Sequence, residues 1–195
     1  MILTDKRIRE LSKSNGLITP FIEENLQSES YDVTIGKEVI VMKKDVHCLD
    51  ISRQESIDGI YEQVDISKTG YIISPKEYIL ISLGETIRLP DNLTAHLRPK
   101  TRYTRLGLIA SHQHCNSSYS GHMSIGLYNA TDYPVKIYSG YTVAQLVFEE
   151  LEDTPTEKKL YRKKQSAHYQ NENGIFRGAK FEDKYLDDLW EKILD

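Results

Sequence analysis

Between Tyr31 and Phe148, apolar side chains recur at every second position in one short run after another, and this period points to antiparallel β-structure. Tyr31, Val33 and Ile35, then Val39 and Val41, alternate with polar partners. Further runs cover residues 71–74, 78–82, 93–97, 123–127, 135–138 and 143–148. Turn-forming clusters separate them, as at Pro90-Asp91-Asn92 and at residues 129–134. Many short strands at regular spacing favour a sandwich, jelly roll or distorted barrel over a parallel α/β sheet. Three segments break the pattern. Thr4 is placed to cap a short N-terminal helix with Ile8 and Leu11 on its inner face and Gly16 as its stop. Residues 101–106 read as a helical corner that puts Thr101 and Arg105 on one face. At the C-terminus, Leu186, Leu189, Trp190, Ile193 and Leu194 form one apolar helical stripe. Residues 157–178 are polar and basic and are predicted to be flexible.

A chain of 195 residues can bury one substantial core. We expect one domain over residues 1–180 and a C-terminal helical extension over residues 181–195. No apolar run is long enough to cross a bilayer, and the charged start has no signal-peptide core, which predicts a cytoplasmic protein with no membrane partner. Cys48 and Cys115 read as free thiols. The formal net charge of -4 argues against a general nucleic-acid binder. Residues 92–131 nevertheless contain no Asp or Glu while carrying Arg98, Lys100, Arg102 and Arg105. A cationic zone in an acidic protein suits a small anionic ligand.

Four separated segments resemble the dCTP deaminase family, which shares its fold with trimeric dUTPases. They are Met1-Ile-Leu-Thr-Asp-Lys-Arg-Ile8 followed by residues 26–36, and Leu97-Arg-Pro-Lys-Thr-Arg-Tyr-Thr-Arg-Leu-Gly-Leu108, which is similar to the motif Gly-Arg-Ser-Ser-x-x-Arg-x-Gly-Leu. Next come Ser120-Gly121 with Leu127-Tyr128-Asn129, Gly140 and Gln145-Leu146, then Tyr161 with residues 167–174, similar to the tail that folds over bound nucleotide. The resemblance implies a mainly β, distorted β-barrel or jelly roll of the dUTPase-like type and a homotrimer with sites between subunits. It also implies a pyrimidine nucleotide of the dCTP or dUTP class bound as its Mg²⁺ complex. No zinc is expected, because the His-x-Glu and Pro-Cys-x-x-Cys signature of the zinc deaminases is absent.

Deamination needs a group that takes a proton from water and delivers one to the ring and the departing ammonia. The resemblance assigns that role to a Glu on the strand before the Leu127-Tyr128-Asn129 triplet, and Gly126 stands there. Gly126 also reads as a bulge or a close backbone approach. The phosphate motif becomes Pro99-Lys100-Thr101-Arg102, and Asn116 replaces an Asp that touches the sugar. His168 and Glu172 replace tail residues that face the triphosphate.

The resemblance therefore gives Thr101, Arg105 and His122 as candidate catalytic residues. Lys100, Arg102, Asn116, Tyr119, Gln145, Tyr161 and His168 are its candidate nucleotide contacts. Each has a second reading: Thr101 as a helix cap, Arg105 as an interface ion pair, the basic run Arg162-Lys163-Lys164 as solvated charge. His122 shares a strand face with Gly126 but lies roughly 13 Å along it, so a structural role competes with that of a substitute base. His112, His114, Cys115 and His122 are metal-ligand types, though not at an established spacing. Three functions remain open at this level: an impaired or inactive nucleotide-binding relative, also able to serve a protein partner; an active enzyme using another base; and a scaffold without nucleotide binding.

Overall fold

Strands that bury alternate side chains must pair to satisfy their backbones, and here they do so antiparallel throughout the main sheet. The computed structural model describes residues 1–43, 48–172 and 176–181. Elements are numbered in chain order. Along the curled sheet the order is β7 (Leu108–Ala110), β9 (Ser120–Asn129), β5 (Tyr78–Arg88), β2 (Tyr31–Met42), β11 (Thr142–Glu150), β6 (Leu93–Pro99) and β8 (Gln113–Cys115). Short strands β1 (Ile18–Thr19) and β3 (Tyr61–Asp65) add to β5 and β2, while β4 (Tyr71–Ile73) and β10 (Val135–Ile137) pair apart from it. This is a mainly β, dUTPase-type jelly roll with short flanking helices.

The inward phase of each strand supplies the core: Tyr31, Val33 and Ile35 from β2, Ile79, Ile81 and Leu83 from β5, Ile125 and Leu127 from β9, and Leu146 and Phe148 from β11. The opposite phase of β5 and β9 carries Tyr78, Leu80, Ser124 and Gly126. Helix α1 (Asp5–Asn15) buries Ile8 and Leu11 and ends at Gly16, whose left-handed backbone bonds the Leu11 and Ser12 carbonyls. Thr4 stands at its start, yet its hydroxyl makes no cap bond. Two helices follow in the loops, α2 (Gln54–Ile57) and α3 (Thr101–Leu106). The expected C-terminal stripe falls at residues 186–194, outside the described residues. No described helix is long and apolar enough to cross a membrane.

Of the run expected to be flexible, residues 157–172 are more anchored than their composition predicts. They make two 3₁₀ turns, Glu157–Lys159 and Tyr161–Lys163, around buried Leu160. Gln170 accepts from the Ser120 amide and donates to the Ser118 carbonyl. Arg162, expected as solvated charge, is shared between Asp91 and Glu157 at 2.8 Å each.

Strand β5 also runs past residue 82, where the sequence pattern ends, because a carboxylate occupies a core position. Glu85 is 1% exposed and accepts both the Thr34 amide and the Thr34 hydroxyl at 2.9 Å. Burial raises its pKa, against the lowering effect of those two bonds. The folded chain thus holds this proton more tightly than the unfolded chain. Stability falls as pH rises from the ordinary glutamate range through the raised value, and stays lower above it. Glu85→Gln should therefore melt above the parent at about pH 8, with the gap closing toward about pH 4. A constant gap across thermal melts at both pH values would count against this.

Candidate functional site

A cavity of about 630 Å³ opens on the outer face of β5 and β9. Its floor is Tyr78 and Leu80 from β5 with Ser124 from β9, and one side comes from Met123, Gln113, His114, Cys115, Asn116 and Tyr119. The other side is the tail, which contributes Tyr161, Tyr169, Glu172, Phe176, Arg177 and Ala179. The tail is bound at both ends. Beside β9, the His122 amide donates to the Glu172 carbonyl at 2.8 Å and the Asn171 amide to the Ser120 carbonyl at 2.7 Å. Gly121 makes this approach feasible, since a Cβ there would lie 3.0 Å from both the Glu172 nitrogen and the Tyr119 hydroxyl. Beyond the cavity, Gln54 of α2 donates to the Ala179 carbonyl and accepts from the Phe181 amide, both at 3.0 Å. Tyr61 stacks edge-on with Phe176 at 5.0 Å.

The lining is aromatic with a few polar groups, the usual make-up of a site for a planar organic ligand. Glu172 is buried, accepts a bond from the Arg177 amide, and has its pKa raised by burial, an effect that amide and the Arg177 charge partly offset. Burial likewise raises the pKa values of Tyr78 and Tyr119, so both phenols are neutral at physiological pH. Gly126 is next to this floor. Its amide bonds the Ser111 hydroxyl at 2.9 Å and its carbonyl the Ser111 amide at 2.9 Å. A Cβ at 126 would collide with the Tyr78 hydroxyl and lie 2.7 Å from the ring carbon Cζ.

Of the candidate nucleotide contacts, Asn116, Tyr119 and Tyr161 line the cavity, as do His114, Cys115 and Glu172 from the other residues singled out in sequence. Thr101, Arg102 and Arg105 stand on the exposed side of α3, away from it. Lys100 is paired with Asp32, and Arg102 donates to the Thr142 carbonyl and hydroxyl. Gln145 pairs in register with Asp32 and Arg98, and His168 uses its carbonyl to accept from Arg177 at 2.7 Å. His122 also lies outside the cavity; its ring bonds the Thr86 hydroxyl at 2.8 Å and the Leu83 carbonyl at 3.3 Å.

The histidine and cysteine group disperses. His112 meets Arg98, His114 stacks on His96 at 5.0 Å, and Cys115 is buried against the Met123 sulfur with its thiol pushed up to about 12 by burial. His114 has its pKa lowered by burial and then by His96. Among the described residues no three His, Cys, Asp or Glu side chains are grouped to hold a metal. Sequence reasoning passed over Tyr61, Tyr78, Gln113 and Phe176, whose aromatic or amide character carries no signal until the strands and tail bring them together.

Fold and cavity define a jelly-roll protein with an aromatic cleft closed by its own tail. The dCTP deaminase-like family matches residues 2–151, and the chain belongs to it. A dUMP-forming dCTP deaminase of Persephonella marina is 36% identical over 94% of this chain and 99% of its own length. A dCTP deaminase of Pyrococcus horikoshii is 32% identical over 80% of this chain and 86% of its own. Among solved structures, the 2'-deoxycytidine 5'-triphosphate deaminase of Agrobacterium tumefaciens shares the fold with a TM-score of 0.62 at 18% identity. That match covers 76% of this chain and about half, 48%, of the other.

Proposed function

We propose that this chain is a homotrimeric pyrimidine nucleotide-binding member of the dCTP deaminase-like family, cytoplasmic, and impaired or inactive in deamination. The observation that carries this reading is Gly126 under the Tyr78 hydroxyl. Where the resemblance requires a proton-shuttling carboxylate there is no side chain, and a neutral phenol fills the space. Nucleotide binding is supported by the relatives' activity on dCTP and by the cavity's planar aromatic walls.

The residues present fit a Mg²⁺ carried by the triphosphate, which needs only one or two carboxylates, better than an ion held by the protein alone. Glu172 is the carboxylate that would face it, and when bound the ion would screen the phosphates from that charge. Trimer formation is supported by exposed Leu106, Ile109, Tyr138 and Tyr141, which are apolar surface without cover in the single chain. In that assembly Thr101 and Arg105 would serve a neighbour's cleft.

One observation favours a second reading, an active dCTP deaminase or dUTP diphosphatase using a substitute base: Glu172 reaches the cavity with a raised pKa, as a general acid/base requires. The test is to follow melting temperature, ammonia, dUTP and dUMP after adding Mg²⁺ with dCTP or dUTP. We expect thermal stabilisation without product. Turnover at family-like rates that Glu172→Gln abolishes would establish the second reading. No shift with any nucleotide would leave only a scaffold.

A further inference from the structure

The floor of the cleft carries a phenol hydroxyl that none of the described residues claims, and it lies where residue 126 gives up its side chain. Tyr78 and Gly126 are diagonal neighbours on one face of the β5–β9 ladder, with Tyr78 opposite Tyr128 and Leu80 opposite Gly126. That geometry brings the Tyr78 hydroxyl over the Gly126 Cα, into the volume a Cβ would need. The hydroxyl finds no hydrogen-bond partner among the described residues, and Tyr78 is 41% exposed and lines the cavity.

We propose that Tyr78 is a specificity-determining residue: its phenol replaces a side chain at 126 as the group that meets the edge of the pyrimidine ring, and it accepts 4-amino and 4-oxo rings alike. The inference rests on the nucleotide-binding reading above. A carboxylate only accepts, so it favours an exocyclic amino group and leaves a carbonyl facing it acceptor to acceptor. That mismatch costs on the order of 10- to 100-fold in affinity. A neutral phenol rotates its proton, accepting from the amino group or donating to the carbonyl. Its neighbours suit a flat ring: Leu80 beneath and the Tyr61 and Phe176 rings at the tail side.

Titration calorimetry on the full chain with Mg²⁺–dCTP and Mg²⁺–dUTP tests this. Both nucleotides should bind within about 5-fold of each other, and Tyr78→Phe, which keeps the ring and removes the hydroxyl, should weaken both by about 3- to 10-fold. Tyr128→Phe, on the facing strand and outside the cavity, should leave both affinities unchanged. If the nucleotides bind but dCTP is preferred by more than about 20-fold, or Tyr78→Phe matches the parent, the role of Tyr78 is overturned while the nucleotide reading stands. If neither nucleotide binds, both fall together, and the absence of any titration heat distinguishes that case.

Discussion

Ammonia release from dCTP is expected to rise by about 100-fold or more over the parent in the double variant Gly126→Glu with Tyr78→Ala, because positioned general acid/base groups contribute on the order of 10² to 10⁴ in rate. The parent lacks a carboxylate at 126, and the cavity floor there is a phenol that burial holds neutral, too weak a base to take a proton from water near neutral pH. The single variant Gly126→Glu should gain less. A Cβ at 126 meets the Tyr78 hydroxyl and Cζ, so the new side chain must first displace a ring that belongs to the same face. That ring is half-exposed and can swing outward, so the obstacle is to placement of the glutamate more than to folding. The backbone at 126 already exchanges two bonds with Ser111, which keeps the strand in register for either variant. Coupled detection of ammonia and dUTP reads the result. A parent that already turns over at family-like rates would refute the impairment. A double variant that binds dCTP tightly but stays silent would show that residue 126 is not where the shuttle is missing.

The strands with clean alternation were legible in the residues alone. β9 and β11 announce themselves because alternate side chains enter the core, and β2 because Tyr31, Val33, Ile35 and Val39 do so. β5 was legible only to residue 82: the inward phase continues through Leu83, Glu85 and Ile87, but a carboxylate at 85 breaks the apolar alternation, and Thr34 satisfies it in the fold. β3 has no apolar alternation, since its residues are exposed or half-buried, and it exists because β2 offers an edge. β8 looked like a loop of metal-ligand types, yet its backbone pairs with β6. The candidate site was legible in part. Asn116, Tyr119 and Tyr161 fall at the cavity by following motif order, whereas Tyr78 depends on a diagonal contact between strands about forty residues apart in the chain. Glu172 was visible as a departure in the tail. Its burial in the cleft depends on Gly121 admitting the tail backbone beside β9.

Lys100 shows why a cation at a phosphate motif need not be free to bind phosphate. Its ammonium is paired with Asp32, whose side chain is 8% exposed and whose second oxygen, Oδ1, is buried without a partner among the described residues. Removing the cation leaves that carboxylate only a long bond from the Gln27 side-chain amide at 3.4 Å, so Lys100→Ala should cost about 3 kcal/mol of folding stability, the low end for breaking a buried pair. The low end applies because Lys100 keeps 20% of its side chain in water. Replacing both partners, as Asp32→Asn with Lys100→Met, leaves no unpaired charge and should recover stability to within about 1 kcal/mol of the parent. Urea denaturation of the parent, Lys100→Met, Asp32→Asn and the double variant gives the coupling directly, and a Lys100→Ala cost below about 0.5 kcal/mol would show the pair to be worth no more than a surface contact. The stable double variant then separates the two roles of Lys100, because its fold no longer depends on the pair. An unchanged dCTP affinity in that background makes Lys100 structural, and a drop of about 10-fold or more makes it a phosphate contact as well, since a charge-assisted bond contributes about 1.5–3 kcal/mol.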